Sequence, residues 1–422
     1  MFAHNLAVKR VLGCFLIGFL VSNSCVALES EHSISSEIFS SHYDINYDSP
    51  FNPENSLANF PERELNFLTR LNWSASLGGF DLMVAPRFGV ESISSEQTWT
   101  DTYSYMQEWS LSYGRDNGLV SVGRELILWG GSQFSSPSNP FYASNNQSNP
   151  FIEPPARDFF QAQWINEKGW DLHFMANFDE GRDAINFDEF INIYAMKFGY
   201  TNYESSSALI VSSRNGSIDI GFYGQWTAND ATLLYLDSSY AESRNGYYPE
   251  LTDGNSQWQF SKRTESTYEY DVLIGSSYTF KSGSTLNVEY RYNEAGYDSQ
   301  ELNTYYQLVD MAALGLQASD PTIIINSVSL LAMAADPKLR SINRNYLHLQ
   351  YFHRNIIKDL SVNLLISHNL DDHSSQLTPV LNYYLNNNIA ISGNFIFGLG
   401  DQYGEYSRYL DKIFYVGFKY YF

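Results

Sequence analysis

Cysteine is nearly missing from this sequence: it has 2, Cys14 and Cys25. Both precede the expected processing point after Ala27, so the mature chain should hold none. That excludes a disulfide scaffold, a thiol nucleophile and a thiolate metal site. Positive charge is scarce as well, with 25 Lys and Arg against 47 Asp and Glu and a formal charge of -22. No nucleic-acid partner is expected of such a chain. Long hydrophobic runs are absent too. The one candidate, residues 11–21, is too short to cross a membrane as a helix and is followed by polar sequence. It follows Lys9 and Arg10 and leads to Cys25-Val26-Ala27, the layout of a secretory signal over residues 1–27. Cys25 would allow lipid attachment, but Ser22-Asn23-Ser24 precede it without the leucine such a signal wants.

What is plentiful is aromatic: 32 Tyr, 28 Phe and 8 Trp. The chain ends on a strand pattern in which Phe414, Val416, Phe418, Tyr420 and Phe422 fall on one side and Tyr415, Gly417, Lys419 and Tyr421 on the other. An apolar face at a chain end needs a partner, and a closed barrel in a bilayer supplies one. The same alternation recurs upstream. Leu65, Phe67, Leu71 and Trp73 oppose Glu64, Asn66, Arg70 and Asn72, and a Gly78-Gly79 turn follows. Leu82, Val84, Phe88 and Val90 oppose Asp81 and Arg87, with Pro86 marking a bulge. Tyr103, Tyr105, Trp109, Leu111 and Tyr113 read as one face, opposite Glu108. Arg124 reads outward among Val120, Val122 and Leu126, which calls for a bulge or a place near the interface. Continued to the end, the pattern gives about 18 strands, with 16 possible, in one domain over residues 28–422 whose first strand begins near Glu37. Short turns such as 116–118, 228–230 and 386–388 alternate with longer connections. That is the asymmetry of an all-β transmembrane antiparallel barrel with short periplasmic turns and long outer loops.

The terminal phenylalanine behind alternating aromatics resembles the closing strand of Gram-negative outer-membrane β-barrels of the porin-like type. The resemblance implies a cell outer-membrane location, lipid and lipopolysaccharide as neighbours, and the outer-membrane assembly machinery as reader of the C-terminal strand. It also implies a channel for small hydrophilic solutes. Gly123-Arg124, Trp129-Gly130 and Ser136-Pro137-Ser138-Asn139-Pro140-Phe141 are similar to a segment of alginate-export-like barrels.

The inward positions name the candidate pore lining. Arg70, Arg87, Arg157, Arg291 and Arg354 carry positive charge there. Asp81, Glu108, Asp171, Asp219, Glu269 and Glu289 carry negative charge, and Tyr223 and Tyr415 are the aromatic candidates. Opposed rows would set a transverse field in a water-filled pore; pairing between neighbouring strands would merely make it polar. The arginines could also form a local anion site, as an acidic saccharide would need. Residues 129–156, rich in proline, are by this count the third outer loop; by position it resembles the third loop of general porins, which folds into the barrel and narrows it, and an ordinary surface loop stiffened by proline is the alternative. Residues 302–316 have helical spacing and residues 323–333 are strongly apolar, so this stretch should fold over the mouth, rest on the outer leaflet or meet a partner. No catalytic residues are expected, since no nucleophile motif is present. Asp371-Asp372-His373 and the acids Asp230, Asp237, Glu242, Glu250 and Asp253 lack the spacing of a calcium loop, so no metal and no cofactor is expected. A structural or secretion-partner barrel with an occluded lumen is the alternative.

Overall fold

The fold is seen in a computed structural model that describes residues 28–95, 98–142, 151–183, 190–242, 246–252, 257–262 and 267–422. The expected signal, residues 1–27, lies outside the described residues.

Eighteen strands form one antiparallel sheet. In chain order these begin with β1 (Glu29–Ile45), β2 (Arg63–Leu77), β3 (Phe80–Ser94), β4 (Thr98–Arg115), β5 (Gly118–Glu125) and β6 (Arg157–Ile165). There follow β7 (Trp170–Asp179), β8 (Ile193–Thr201), β9 (Ser205–Arg214), β10 (Ser217–Asn229) and β11 (Thr232–Glu242). A separate hairpin, β12 (Tyr247–Thr252) and β13 (Gln257–Lys262), stands in the next loop. The wall resumes with β14 (Tyr268–Thr279) and β15 (Thr285–Asn293). After helices α1 (Ser299–Gly315) and α2 (Pro321–Ala335) come β16 (Asn345–Ile357), β17 (Leu360–Asn369), β18 (Ser375–Asn386), β19 (Ile389–Leu399) and β20 (Leu410–Tyr421). Each wall strand pairs with its neighbours, and β20 pairs back onto β1 with Phe418 opposite Ile38. The barrel is closed, so no strand edge is left bare.

Outward positions are apolar and exposed: Phe67, Phe88, Phe174, Met196, Ile220, Ile274 and Val416 are 40–53% accessible. A continuous belt of this kind is suited to lipid. At the short-turn end aromatic pairs line its edge, Phe80 with Tyr113 at 4.6 Å, Trp170 with Tyr200 at 4.6 Å and Tyr420 with Phe422 at 4.7 Å. Such a girdle marks a membrane–water interface. No described helix is long and apolar enough to cross a membrane.

Three expectations need correction. The first strand begins at Glu29 rather than near Glu37, because residues 29–42 pair with β2 along its whole length. The outer connections are not uniformly long: β9 and β10 are joined by Asn215-Gly216, and β17 and β18 by residues 370–374. Tyr103 and Tyr105 face the lumen rather than lipid. Ala85 pairs with Glu108 and Pro86 with Met106, so Gln107 is an extra residue. This bulge at Pro86 exchanges the two faces of β4 beyond it. The Tyr103 ring then lies over Gly89, where a Cβ would collide with it.

The residues 302–336 stretch forms α1 and α2, an antiparallel hairpin in a cap built from several outer loops. Asp298 caps α1 by accepting from the Gln300 and Glu301 amides, and Glu301 returns the bond. Leu302, Tyr305, Val309 and Ala312 of α1 pack with Leu331 and Ala334 of α2, Phe51 of the β1–β2 loop and Tyr248 of the hairpin. Arg408 of the β19–β20 loop lies over the Phe51 and Tyr409 rings at 5.5 and 4.9 Å and donates to the Tyr305 hydroxyl. Burial pushes the Glu405 carboxyl above its ordinary range, although the Tyr346 hydroxyl and the Asn369 amide donate to it.

Candidate functional site: a loop-lined constriction

Residues 126–142 and 151–156, the described parts of the connection between β5 and β6, leave the wall and enter the barrel. The outbound limb begins on an apolar floor. Trp129, Phe141 and Tyr142 pack on inward-facing Phe159, Met175, Ala195 and Ile210 of β6 to β9. An apolar inner wall would be costly in a wet pore, and the loop removes it from water. The limb then reaches the opposite wall, where two fully buried carboxylates hold it. Asp237 of β11 accepts from the Ser138 amide at 2.7 Å and the Ser136 hydroxyl at 2.8 Å. Glu289 of β15 accepts from the Gln133 amide at 2.6 Å and the Tyr235 hydroxyl at 2.8 Å. Phe134 stacks on His348 at 4.7 Å. Pro137 and Pro140 have no amide hydrogen, and their carbonyls accept from Arg340 and Arg214. Gly130 adopts a positive φ of 111° where a Cβ would meet Ser136 and Asp237, so only glycine fits.

The return limb is held on the first strands. Phe151 stacks on Phe39 at 5.0 Å and on Tyr415 at 5.9 Å. Glu153 receives Arg87 through two parallel bonds of 2.9 Å, and Arg70 Nε lies 3.3 Å away. Arg70 also lies 2.6 Å from Glu37. Gln107, the bulge residue, donates to the Pro154 carbonyl at 2.8 Å. Burial pushes the Glu153 carboxyl up, but the Arg87 bonds and the guanidiniums around it outweigh this and hold it below its ordinary range. In the 18-strand ring, β2 and β3 stand half a turn from β11 and β14. The two described limbs thus meet opposite walls, the return limb a wall of arginines and the outbound limb a wall of carboxylates.

The candidate lining residues are not all brought together. Arg70 and Arg87 meet at Glu153. Arg291 is engaged by Asp271 through bonds of 2.8 and 2.7 Å. Arg157 lies over the Tyr142 ring at 5.2 Å. Arg354 is exposed near the Lys358–Asp359 turn, remote from the others because it stands at the short-turn end of β16, where the strand also bulges between His353 and Ile357. Asp81 is likewise at the short-turn end, accepting from Ser76. Glu108 accepts the Leu126 amide, and Asp171 pairs with Lys197 at 3.2 Å. Glu289 anchors the loop, Tyr223 packs beside its apolar floor and Tyr415 under its return limb. Asp219 and Glu269 line a cavity of about 300 Å³ outside the loop, together with Asp271, Arg214 and Arg340. Arg124 sits at the end of β5, neutralised by Asp158 at 2.7 and 2.9 Å. Sequence reasoning missed Glu37 and Glu153, and it placed Asp237 among outer-loop acids. Asp237 alternates with Leu236 and Ser238 in β11, which is the signal that could have placed it inward.

No family model and no curated protein matches the chain. Solved structures do. Pseudomonas aeruginosa OccK5 (OpdH) aligns over 93% of this chain and 98% of its own at 11% identity, with a TM-score of 0.53. The likeness is one of fold. Acinetobacter baumannii OccAB3 gives 10% identity over 93% and 99% of the two chains with a TM-score of 0.54. Pseudomonas aeruginosa OccK11 (OpdR) gives 11% over 93% and 96% with 0.52. The chain therefore has the 18-stranded porin-type β-barrel fold.

Proposed function

We propose that the protein is an outer-membrane channel for passive diffusion of small hydrophilic solutes. The observation that carries the reading is the pair of loop limbs, residues 126–142 and 151–156, folded inside a barrel of 18 strands and anchored on opposite walls. A barrel of this strand number is wide enough for water, whereas eight strands would pack solid. The loop narrows that width, and the polar anchors set its height. Residues 28–422 are the channel domain, and residues 1–27 are the secretory signal. Lipid and lipopolysaccharide surround the barrel, and the β20 strand ending in Phe422 is the segment offered to the assembly machinery. Anionic solutes, acidic saccharides included, are the finer part of the proposal: Arg214, Lys338 and Arg340 line the outer cavity, interleaved with Asp219, Glu242, Glu269 and Asp271, so an anion would be held by the guanidiniums within a mixed-charge lining.

The test is single-channel conductance and reversal potential in planar bilayers, with and without residues 131–155. Discrete conductance that grows on deletion supports the channel and its constriction. Conductance unchanged by the deletion removes the loop from that role. A second reading, a structural or secretion-partner barrel with an occluded lumen, is favoured by the apolar packing under the outbound limb and by the helical cap. Closed bilayers with both forms would establish it instead.

A further inference from the structure

Among the described residues, one side of α2 is left uncovered. Ser327, Leu331 and Ala334 are its buried side, and a Cβ on Gly315 of α1 would collide with Ser327, so the two helices are in close contact there. On another side Pro321, Ile325, Val328, Ala332 and Ala335 are all exposed. Their spacing alternates four and three residues, the narrow seam by which one helix meets another, whereas a helix facing a broad core shows a wider stripe. Large side chains occupy the first half of the stripe and alanines the second. A parallel partner would set large against large. A reversed copy of the same helix sets Ile325 against Ala332, Pro321 against Ala335, and Val328 against itself. That match is self-complementary, as a two-fold interface between identical chains requires.

Charge points the same way. The chain carries -22 overall, so most of its surfaces repel a second copy. Residues 321–335 contain no Asp, Glu, Lys or Arg, and Thr322, Asn326 and Ser329 flank the stripe with neutral polar groups. Within the stripe Ile325 is 67% exposed and Val328 41%. Together its side chains offer on the order of 300 Å² per copy, small for a pair in free solution. Confinement to a membrane raises the effective concentration enough for such a contact to form.

We propose that α2 pairs antiparallel with α2 of a second copy of this chain, with the two-fold axis at Val328. The full-length protein with Val328→Cys, reconstituted in lipid vesicles and treated with a mild oxidant, should give a covalent dimer on a non-reducing gel. The parent protein, treated in parallel, controls for Cys14 and Cys25. Gln307→Cys, on an exposed position of α1, should give no more dimer than the parent. Ile325→Cys and Ala332→Cys should each stay monomeric alone and cross-link when the two proteins are mixed. Ile325→Arg should abolish dimer in sedimentation or native mass measurements while single-channel conductance and heat-modifiable migration stay those of the parent. Dimer from Gln307→Cys at the level of Val328→Cys, Ile325→Cys cross-linking to itself, a trimer, or monomer throughout would each overturn the proposal; the last would leave this face to lipid. None of these outcomes depends on whether the barrel conducts.

Discussion

Replacing Glu153 with glutamine should loosen the return limb of the constriction and shift the pore toward anions. Glu153 is shared by two guanidiniums whose side chains are 5% and 8% exposed, and its own is 21% exposed. Glutamine keeps the shape but removes the charge. Arg70 retains Glu37; Arg87 is left with the Leu71 and Pro86 carbonyls and the Asn72 amide oxygen, all neutral. Removing one partner of a buried ion pair costs about 3–5 kcal/mol. Water reaches this carboxylate from the lumen, which screens part of the attraction and brings the figure to about 2 kcal/mol. That is a factor of roughly 30 in the equilibrium between seated and released limb. Single-channel records should show added transitions to a larger conductance, and the reversal potential in a salt gradient should move toward anion selectivity. Glu37→Gln, which spares the Arg87 fork, should change selectivity with little added noise. A Glu153→Gln channel with the amplitude, noise and reversal potential of the parent would refute the latch.

The remaining expectations concern other parts of the same architecture. Because the Glu153 carboxyl is held below its ordinary 4.5, its stabilisation is present above that value and is lost as pH falls through the depressed one, so current noise should rise on acidification and do so less in Glu153→Gln. Asp237→Ala leaves the Ser138 amide and Ser136 hydroxyl without their acceptor, at about 1–3 kcal/mol each, and should raise mean conductance by freeing the outbound limb. Deleting Gln107 removes the bulge and would turn Tyr103 and Tyr105 toward lipid, so little heat-modifiable barrel should be recovered. Gly296→Ala drives a Cβ into the Asn343 carbonyl and the Arg344 backbone; limited proteolysis should then cut within residues 299–335 faster while the barrel stays intact.

The barrel was legible because every wall strand has one face for lipid and one for polar groups, a rule local enough to read residue by residue. Where the rule breaks, reading fails. At Gln107 a single extra residue exchanges the faces, and the sequence around Pro86 announces a bulge without saying which strand carries it. The pore was less legible than its wall. Arg70 and Arg87 could be placed inward from alternation, but their partner Glu153 lies in a loop of no period, more than 60 residues away. Arg354 and Asp81 alternate correctly and still sit at the short-turn mouth, since period two fixes the face of a residue and says nothing of its depth. Asp237 looked like surface because it stands close to a turn-rich outer loop, while its alternation within β11 puts it inside. For residues 302–336 helical spacing was visible, but not the covering surface, which comes from loops far along the chain.

The seat of Phe151 has a consequence for the order in which the molecule is made. Its ring rests on Phe39 of β1 and Tyr415 of β20, the first and last strands of the wall, on either side of the seam where the cylinder shuts. Until the final strand arrives, half of that seat does not exist. The Phe151 seat is therefore complete only after closure, while the Glu153 bonds to Arg87 and the outbound anchors on Asp237 and Glu289 need no part of β20. A chain halted before β20 should leave the backbone beside Phe151 more open to protease, and protection there should appear in step with the seam. The narrowest part of the protein is then also the mark that the wall is complete.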